Sequence, residues 1–442
     1  MAINIEQFQL PITPTEARDF IQSQTDNFGI FFDVDRCYEL SAILKMEMVD
    51  IQRKLRRLSL DPKLSLNDKN SVIDTLIRMG VNKAEFYADG SAPSITEGIR
   101  NTILNNNKYS DEIHEFVKCH GVYVSNKRNK GNIINFADKC DWSAVLSKNN
   151  HRMAIGHPMW SLLNTSRIAA KNPGIQGIPR STPDIICEPA GYNLIRCDSS
   201  QIEPRINFSA FVRDTLILNL ITYYNDAYFG IMHYCLMSSA VEDMCRKDFT
   251  QFFEPIAITD EIKAKRQEIK RLTNAGSYGS SNLADIAPTL AVPYEKKIVK
   301  HPERLALEQA VREAVKRGDE TFYGAFGTPV TPDETEKYSK GGRGWSEHVI
   351  RCGINNPIQT TASELMMFSI HEARKILSEA KDSHVCYYKH DEACFYVSDD
   401  DMANGIGDKL KEITAYNVKG WIPIPCDSLV GVKPGDYPSY IM

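Results

Sequence analysis

Leu194-Ile195-Arg196-Cys197-Asp198-Ser199-Ser200-Gln201-Ile202-Glu203-Pro204-Arg205 is the stretch on which the fold turns. A short apolar run, Leu194 to Arg196, reads as a strand that delivers the carboxylate of Asp198 at its end. Ser199 or Ser200 is placed to cap a helix beginning near Gln201. Pro204 fits that helix because the first turn does not need its N–H.

Far along the chain, two strand-like runs, His384 to Lys389 and Ala393 to Val397, flank His390-Asp391-Glu392. That pattern predicts a hairpin with acids at its tip. If Asp198 and Asp391 meet, two adjacent carboxylates repel, and one takes a proton unless a cation holds them. Mg²⁺ suits such a pair, because it uses a few carboxylates plus waters and substrate phosphates. Two ions bridged by two aspartates form the clamp for in-line phosphoryl transfer.

Between these acids lies a basic helix, predicted from Asp260 to about Ala275 and started by Thr259-Asp260. Arg266, Lys270, Asn274 and Tyr278 recur every four residues, roughly on one face. Arg266 and Lys270 are cations that a triphosphate needs as charge builds on its leaving group, and Tyr278 offers a ring for a base. A basic helix of arbitrary origin is more often a solvated, salt-bridged face, so the helix gains meaning only beside the two acids.

Outside these segments the sequence is less specific. The first 150 residues are polar and mostly helical in pattern, with a long helix from Cys37 to Leu60, turns from Asp61 to Asp68, and a basic segment from Lys118 to Lys130. Thr328 to Gly344 reads as a Gly- and Pro-rich loop, Ile350 to Ala380 as a long helix, and Ser398 to Tyr416 as a helix whose first turn holds Asp399, Asp400 and Asp401 as dipole caps. Hydrophobic residues make up 42% and charged residues 25% of the 442, an ordinary soluble composition. The net charge of −5 confines any nucleic-acid surface to a local basic patch. Eleven cysteines contain no C-x-x-C pair, which argues against a zinc ribbon or redox dithiol and for buried free thiols in a reducing compartment. The start lacks the pattern of an export signal, no apolar run spans a bilayer, and the expected location is cytoplasmic.

Taken in order, the segments resemble family A DNA polymerases, the bacterial DNA polymerase I type. That family's first motif, roughly D-Y-S-Q-I-E-L-R, matches Asp198 to Arg205. Its second, R-x-x-x-K-x-x-x-(F/Y)-x-x-x-Y-G, matches Arg266, Lys270, Asn274, Tyr278 and Gly279. Its third, V-H-D-E, matches Lys389 to Glu392. Arg167 followed by Asn172 to Pro179, and Arg351-x-x-x-Asn355-x-Pro357-x-Gln359, resemble two flanking family segments. The likeness covers the chain from about Arg167 onward.

The resemblance implies an α+β, right-hand polymerase fold: a palm around an antiparallel sheet, with helical fingers and thumb and no 3′–5′ exonuclease domain. The implied divisions are a lead and thumb over 1–159, palm over 160–213, fingers over 214–344 and palm again over 345–442. Implied activity is template-directed addition of deoxynucleotides to a primer 3′ end with two Mg²⁺ ions, Mn²⁺ being able to substitute. Asp198 and Asp391 would bind the metals, with Glu392 supporting. Arg266 and Lys270 would hold the triphosphate, Lys270 also serving as acid for pyrophosphate. Tyr278 would close over the nascent pair, with Gln201 nearby, and Glu203 would exclude a 2′-hydroxyl. Arg167, Gln176, Asn355 and Gln359 would contact the minor groove, Arg351 would brace that surface, and His390 would meet the primer end. Partners are primer–template DNA and deoxynucleoside triphosphates, with replisome proteins open and no membrane. The small size points to a phage or mobile-element replicase.

The chain also departs from the pattern. Asn274 stands for the stacking aromatic, Ser199 for Tyr, Pro204 for Leu, Gly174 for Asn, Thr360 for Gly, and Lys389 for an apolar residue. A single-subunit RNA polymerase is disfavoured by Glu203 and Glu392, and a non-catalytic replication scaffold by the intact Asp198, Asp391, Arg266 and Lys270.

Overall fold

The computed structural model describes residues 2–86, 95–104, 106–178, 183–277, 283–287, 289–333 and 337–431; for 97, 183, 277, 285 and 337–343 it describes the backbone alone. The chain divides into two compact units.

The smaller unit takes in 31–156 and 177–187. Its longest helices are α1 (Val34–Leu58) and α2 (Asp111–Asp138). Asp33 caps α1 by accepting the Arg36 N–H, and Ser110 caps α2 through Ile113, each satisfying an amide that the helix leaves open. The helices share an apolar core that includes Leu55, Val72, Leu76, Phe116 and Val117.

The larger unit takes in 1–30, 157–176 and 188–432. Its sheet contains β1 (Tyr192–Ser199), β2 (Ser383–Lys389), β3 (Glu392–Ser398) and β4 (Cys426–Val430) in the order β2–β3–β1–β4, every neighbour antiparallel. Ile195, Cys197, Cys386, Cys394 and Phe395 are wholly buried there, so the sheet is covered on both faces.

After β1 come α3 (Ile202–Ile206), α4 (Thr215–Tyr224), α5 (Ala227–Leu236), α6 (Asp260–Ser277) and, later, α7 (Lys337–Glu379). Asp214 caps α4 and Asp226 caps α5. Leu216, Leu220, Ile231, Met232, Ile269 and Leu272 join α4, α5 and α6 in one core. Gly230 permits the closest approach, since a Cβ there would lie 2.8 Å from the Ile221 backbone nitrogen.

Three expectations need correction. No serine caps α3: Gln201 holds the cap position with φ 56 and no side-chain cap bond, while Ser199 Oγ donates to the Thr414 carbonyl and Ser200 Oγ to Asp427. The supposed loop at 328–344 is helical from Lys337, because extending an established helix gains a hydrogen bond for each residue fixed. The helix expected over 398–416 breaks into Asp399–Ala403 and Ile406–Leu410, where Gly405 turns left-handed at φ 79. Ser398 caps the first of these, accepting the Asp401 N–H, while the buried Asp401 carboxylate turns away from its own helix and accepts the amides of Lys381 and Asp382.

Candidate active site

Sheet register brings the acids together. Asp198 at the end of β1 faces Glu392 on β3 and Asp427 on β4. Directly opposed residues in an antiparallel pair share a face, so three carboxylates stand side by side. Asp391 follows in the two-residue β2–β3 turn, and its carbonyl accepts the Ser199 N–H at 3.0 Å. His390, the other turn residue, is exposed with φ 59, as the first position of such a turn demands. For a residue other than glycine that conformation costs on the order of 1 kcal/mol.

The electrostatics follow from this crowding. Burial, then Glu203 and Glu392, push the Asp391 carboxyl up to about 6, against the pull of its own backbone amide and of Arg167. Asp198 is open to solvent on one side yet surrounded by protein on the others. That surrounding, then Asp391, Glu392 and Asp427, raises its carboxyl well above the ordinary range.

Two neighbouring acids are already matched. Glu392 accepts from Arg196 Nε at 2.7 Å and from the Tyr387 hydroxyl at 2.8 Å. Glu203, on α3, pairs with Arg167.

On α6 the four-residue series winds around the helix. Each step of four turns 400°, so successive members drift by about 40°. Arg266 is buried at 3% exposure on the Ile269–Leu272 side, Lys270 is half-buried, and Asn274 is exposed. Tyr278 lies outside the described residues. Arg266 donates through Nε at 3.1 Å and Nη2 at 2.5 Å to Asp226. Gln201 binds the start of α5, its Nε2 donating to Asp226 at 2.8 Å and its Oε1 accepting from the Ala227 N–H.

Of the expected DNA contacts, Gln176 accepts the Ala170 N–H at 3.1 Å, while its buried Nε2 has no partner among the described residues. Asn355 Oδ1 is in the same position. Asn355 and the exposed Arg351 line a cavity of about 280 Å³ with Arg304 and Gly276. Gln359 follows one turn later, half-buried.

Sequence reasoning missed Asp427, Arg196 and Asp226. Asp226 carried the one usable signal, a cap residue before an apolar run. Asp427 and Arg196 are defined by register across strands distant in sequence.

No protein-family model matches the chain, and no curated protein sequence matches it. The structure is similar to a solved one described as the POL domain of Pol1 from M. smegmatis in complex with DNA primer-template and dNTP. The TM-score is 0.71 with 16% identity, over 95% of this chain and 70% of that one. The fold is thus α+β, similar to that of a right-hand polymerase domain. Among the described residues, no helix is long and apolar enough to cross a membrane.

Proposed function

We propose that the protein is a template-directed DNA polymerase, a nucleotidyltransferase that adds deoxynucleotides to a primer 3′ end. The observation that carries this is the meeting of Asp198 and Asp391 at one end of the sheet, within a polymerase-type fold. Both carboxyls are raised by burial first and then by neighbouring acids, Asp391, Glu392 and Asp427 in the case of Asp198, and Glu203 and Glu392 in the case of Asp391. Such a pair fits a divalent cation, which removes the cost of holding like charges together. Among the described residues no three His, Cys, Asp or Glu side chains form a ready cage. Mg²⁺ asks for less, one or two carboxylates completed by water and substrate phosphates.

In this reading Asp198 and Asp391 hold two Mg²⁺ ions, or Mn²⁺ in their place, with Glu392 steadying the site through Arg196 and Tyr387. When bound, the ions supply activation of the primer hydroxyl and charge neutralisation at the pyrophosphate. Arg266 and Lys270 take the triphosphate from the α6 side, and Lys270 protonates the departing pyrophosphate. Glu203, fixed by Arg167, fills the space a 2′-hydroxyl needs, so the sugar preference is for deoxyribose. His390 meets the primer end at the hairpin tip. Gln201 orders the turn beneath the nucleotide, and Tyr278 covers the new base pair.

Gln176, Asn355 and Gln359 are donors for the minor-groove side of the new duplex, whose acceptors recur in every correct pair. The buried Nε2 of Gln176 supports this, because such donors in folded proteins are nearly always satisfied. Arg351 braces that surface.

The test is extension of a labelled primer on a template with Mg²⁺, Mn²⁺ or chelator. Wild type extends only with metal. Asp391→Asn loses at least about 1000-fold in rate, on the scale of losing preorganised charge at a reacting centre, and still binds the duplex. Extension by that variant at near wild-type rate removes the metal role.

A further inference from the structure

The Asp226 carboxylate joins three separate elements. It accepts the Phe229 N–H at 2.8 Å as the cap of α5, Gln201 Nε2 at 2.8 Å from the turn after β1, and the Nε and Nη2 edge of Arg266 from α6. The ion pair is nearly closed to solvent, with side chains 4% exposed for Arg266 and 13% for Asp226. The guanidinium lies 5.3 Å from the ring centres of both Tyr228 and Phe229. The Tyr228 phenol is buried and feels Glu203, Arg266, Asp226 and Asp391, so the pair borders the acid cluster.

A carboxylate and a phosphate offer a guanidinium edge the same thing, two anionic oxygens at fork spacing. Arg266 therefore cannot give its Nε–Nη2 edge to a triphosphate while Asp226 holds it. We propose that Asp226 is a positioning residue that competes with the incoming triphosphate for Arg266, and so sets how tightly nucleotide and pyrophosphate are held. This rests on Arg266 being a triphosphate ligand, as proposed above. An exchange of one anion for another lets the arginine stay neutralised throughout. It also makes nucleotide binding pull on α5 and on the Gln201 turn, both anchored to the same carboxylate.

Asp226→Asn removes the charge and keeps the α5 cap, because asparagine caps a helix about as well as aspartate, while its single oxygen, taken by the Phe229 N–H, gives up the bond from Gln201 Nε2. The expected result is a KM for each deoxynucleoside triphosphate about 5-fold lower or more, with the inhibition constant of pyrophosphate falling in parallel. The Kd for primer–template stays unchanged. Asp226→Glu, which keeps the charge, keeps KM near wild type. A purely structural Asp226 predicts a lower Tm with KM unchanged or raised, and that outcome overturns the proposal.

If Asp226→Asn alone does not fold, the neutral pair Asp226→Asn/Arg266→Gln is compared with Arg266→Gln. The two should share one KM, since Asp226 acts through Arg266; a further change on adding Asp226→Asn refutes the link. If wild type extends no primer, the polymerase reading fails by itself. Calorimetry with tripolyphosphate then decides the exchange: tighter binding to Asp226→Asn than to wild type supports it, and equal or weaker binding ends it.

Discussion

Asp214 and Asp391 are both carboxylates set into protein, one at a helix start and one at a sheet end, and their acidities move in opposite directions. Asp214 accepts from the Ile217 amide at 2.8 Å, from His301 Nε2 at 3.0 Å and from Arg246 Nη2 at 2.9 Å. Burial works against its charge, but those three donors outweigh it and hold the carboxyl at about 2. Burial works the same way on Asp391, where the neighbours Glu203 and Glu392 add to it and the carboxyl rises to about 6. Desolvation has one sign in both places, so the partners decide the outcome. At the helix start Asp214 is matched to donors. At the sheet end Asp198 and Asp391 are pushed up by neighbouring acids, which is poor for stability and suited to a site that binds cations.

The contrast can be broken most forcefully by removing each acid in turn. Asp214→Ala takes away the α4 cap and the carboxylate partner of buried His301, while Arg246 keeps Glu242 and Tyr234, a loss of about 2 to 4 kcal/mol from a lost cap and a buried group left unsatisfied. Asp391→Asn should do the reverse without added divalent metal. Its folded carboxyl lies above the unfolded value of 3.8, so the cost of ionising it builds as pH rises from 3.8 to 6 and is complete at pH 7. Relief of that cost stabilises the variant by at most about 3 kcal/mol. Thermal melts at pH 7 in chelator should move in opposite directions. A lower Tm for both variants means that the sheet end is as well compensated as the helical region, and the contrast is gone.

Acid titration sharpens the comparison at a smaller scale. His233 is buried on α5 and bonds the Tyr224 hydroxyl at 2.8 Å. Burial, then Lys297, lowers it to about 4. His120 on α2 is lowered to about 4 by burial and then by Arg100. A histidine lowered on folding contributes stability that is full above the unfolded value of 6.5 and fades as pH falls toward 4, up to about 3 kcal/mol each. The Asp214 contribution fades only from 3.8 down to about 2. Acid destabilisation should therefore begin between pH 6.5 and 4, on the histidines. His233→Gln should flatten the fall of Tm across that window, and a slope equal to wild type assigns the acid limb to other groups.

What the sequence made legible has a physical pattern. Asp198, the hairpin acids and the α6 cations were readable because each sits on one element whose period or turn chemistry marks it. Register was not readable, and register is what sets Asp427 and Glu392 on either side of Asp198 and lets Arg196 reach Glu392. The commitment of Arg266 to Asp226 was hidden too. A four-residue series looks like one face in sequence, but 40° of drift per step is enough to turn Arg266 into the core while Asn274 looks out. Ser199 and Ser200 misled because a hydroxyl before a helix is a good cap only when nothing else claims it, and Thr414 and Asp427 claim these two.

Asn274 gives the finest test, since its exposure on α6 separates binding from folding. Replacing an exposed helical asparagine with phenylalanine should change stability by no more than about 0.5 kcal/mol. If the incoming base lies over this turn, a ring at 274 adds stacking worth about 1 to 3 kcal/mol, which lowers the nucleotide KM by about 5-fold or more. Asn274→Leu supplies comparable apolar bulk without the ring and should recover only part of that gain. Equal gains from leucine and phenylalanine would mean simple burial, and no gain from either would place the base on another part of the site. With those gains the helix would have two functional ends: Arg266, held inward by the Asp226 carboxylate that nucleotide is proposed to replace, and Asn274, turned outward to solvent.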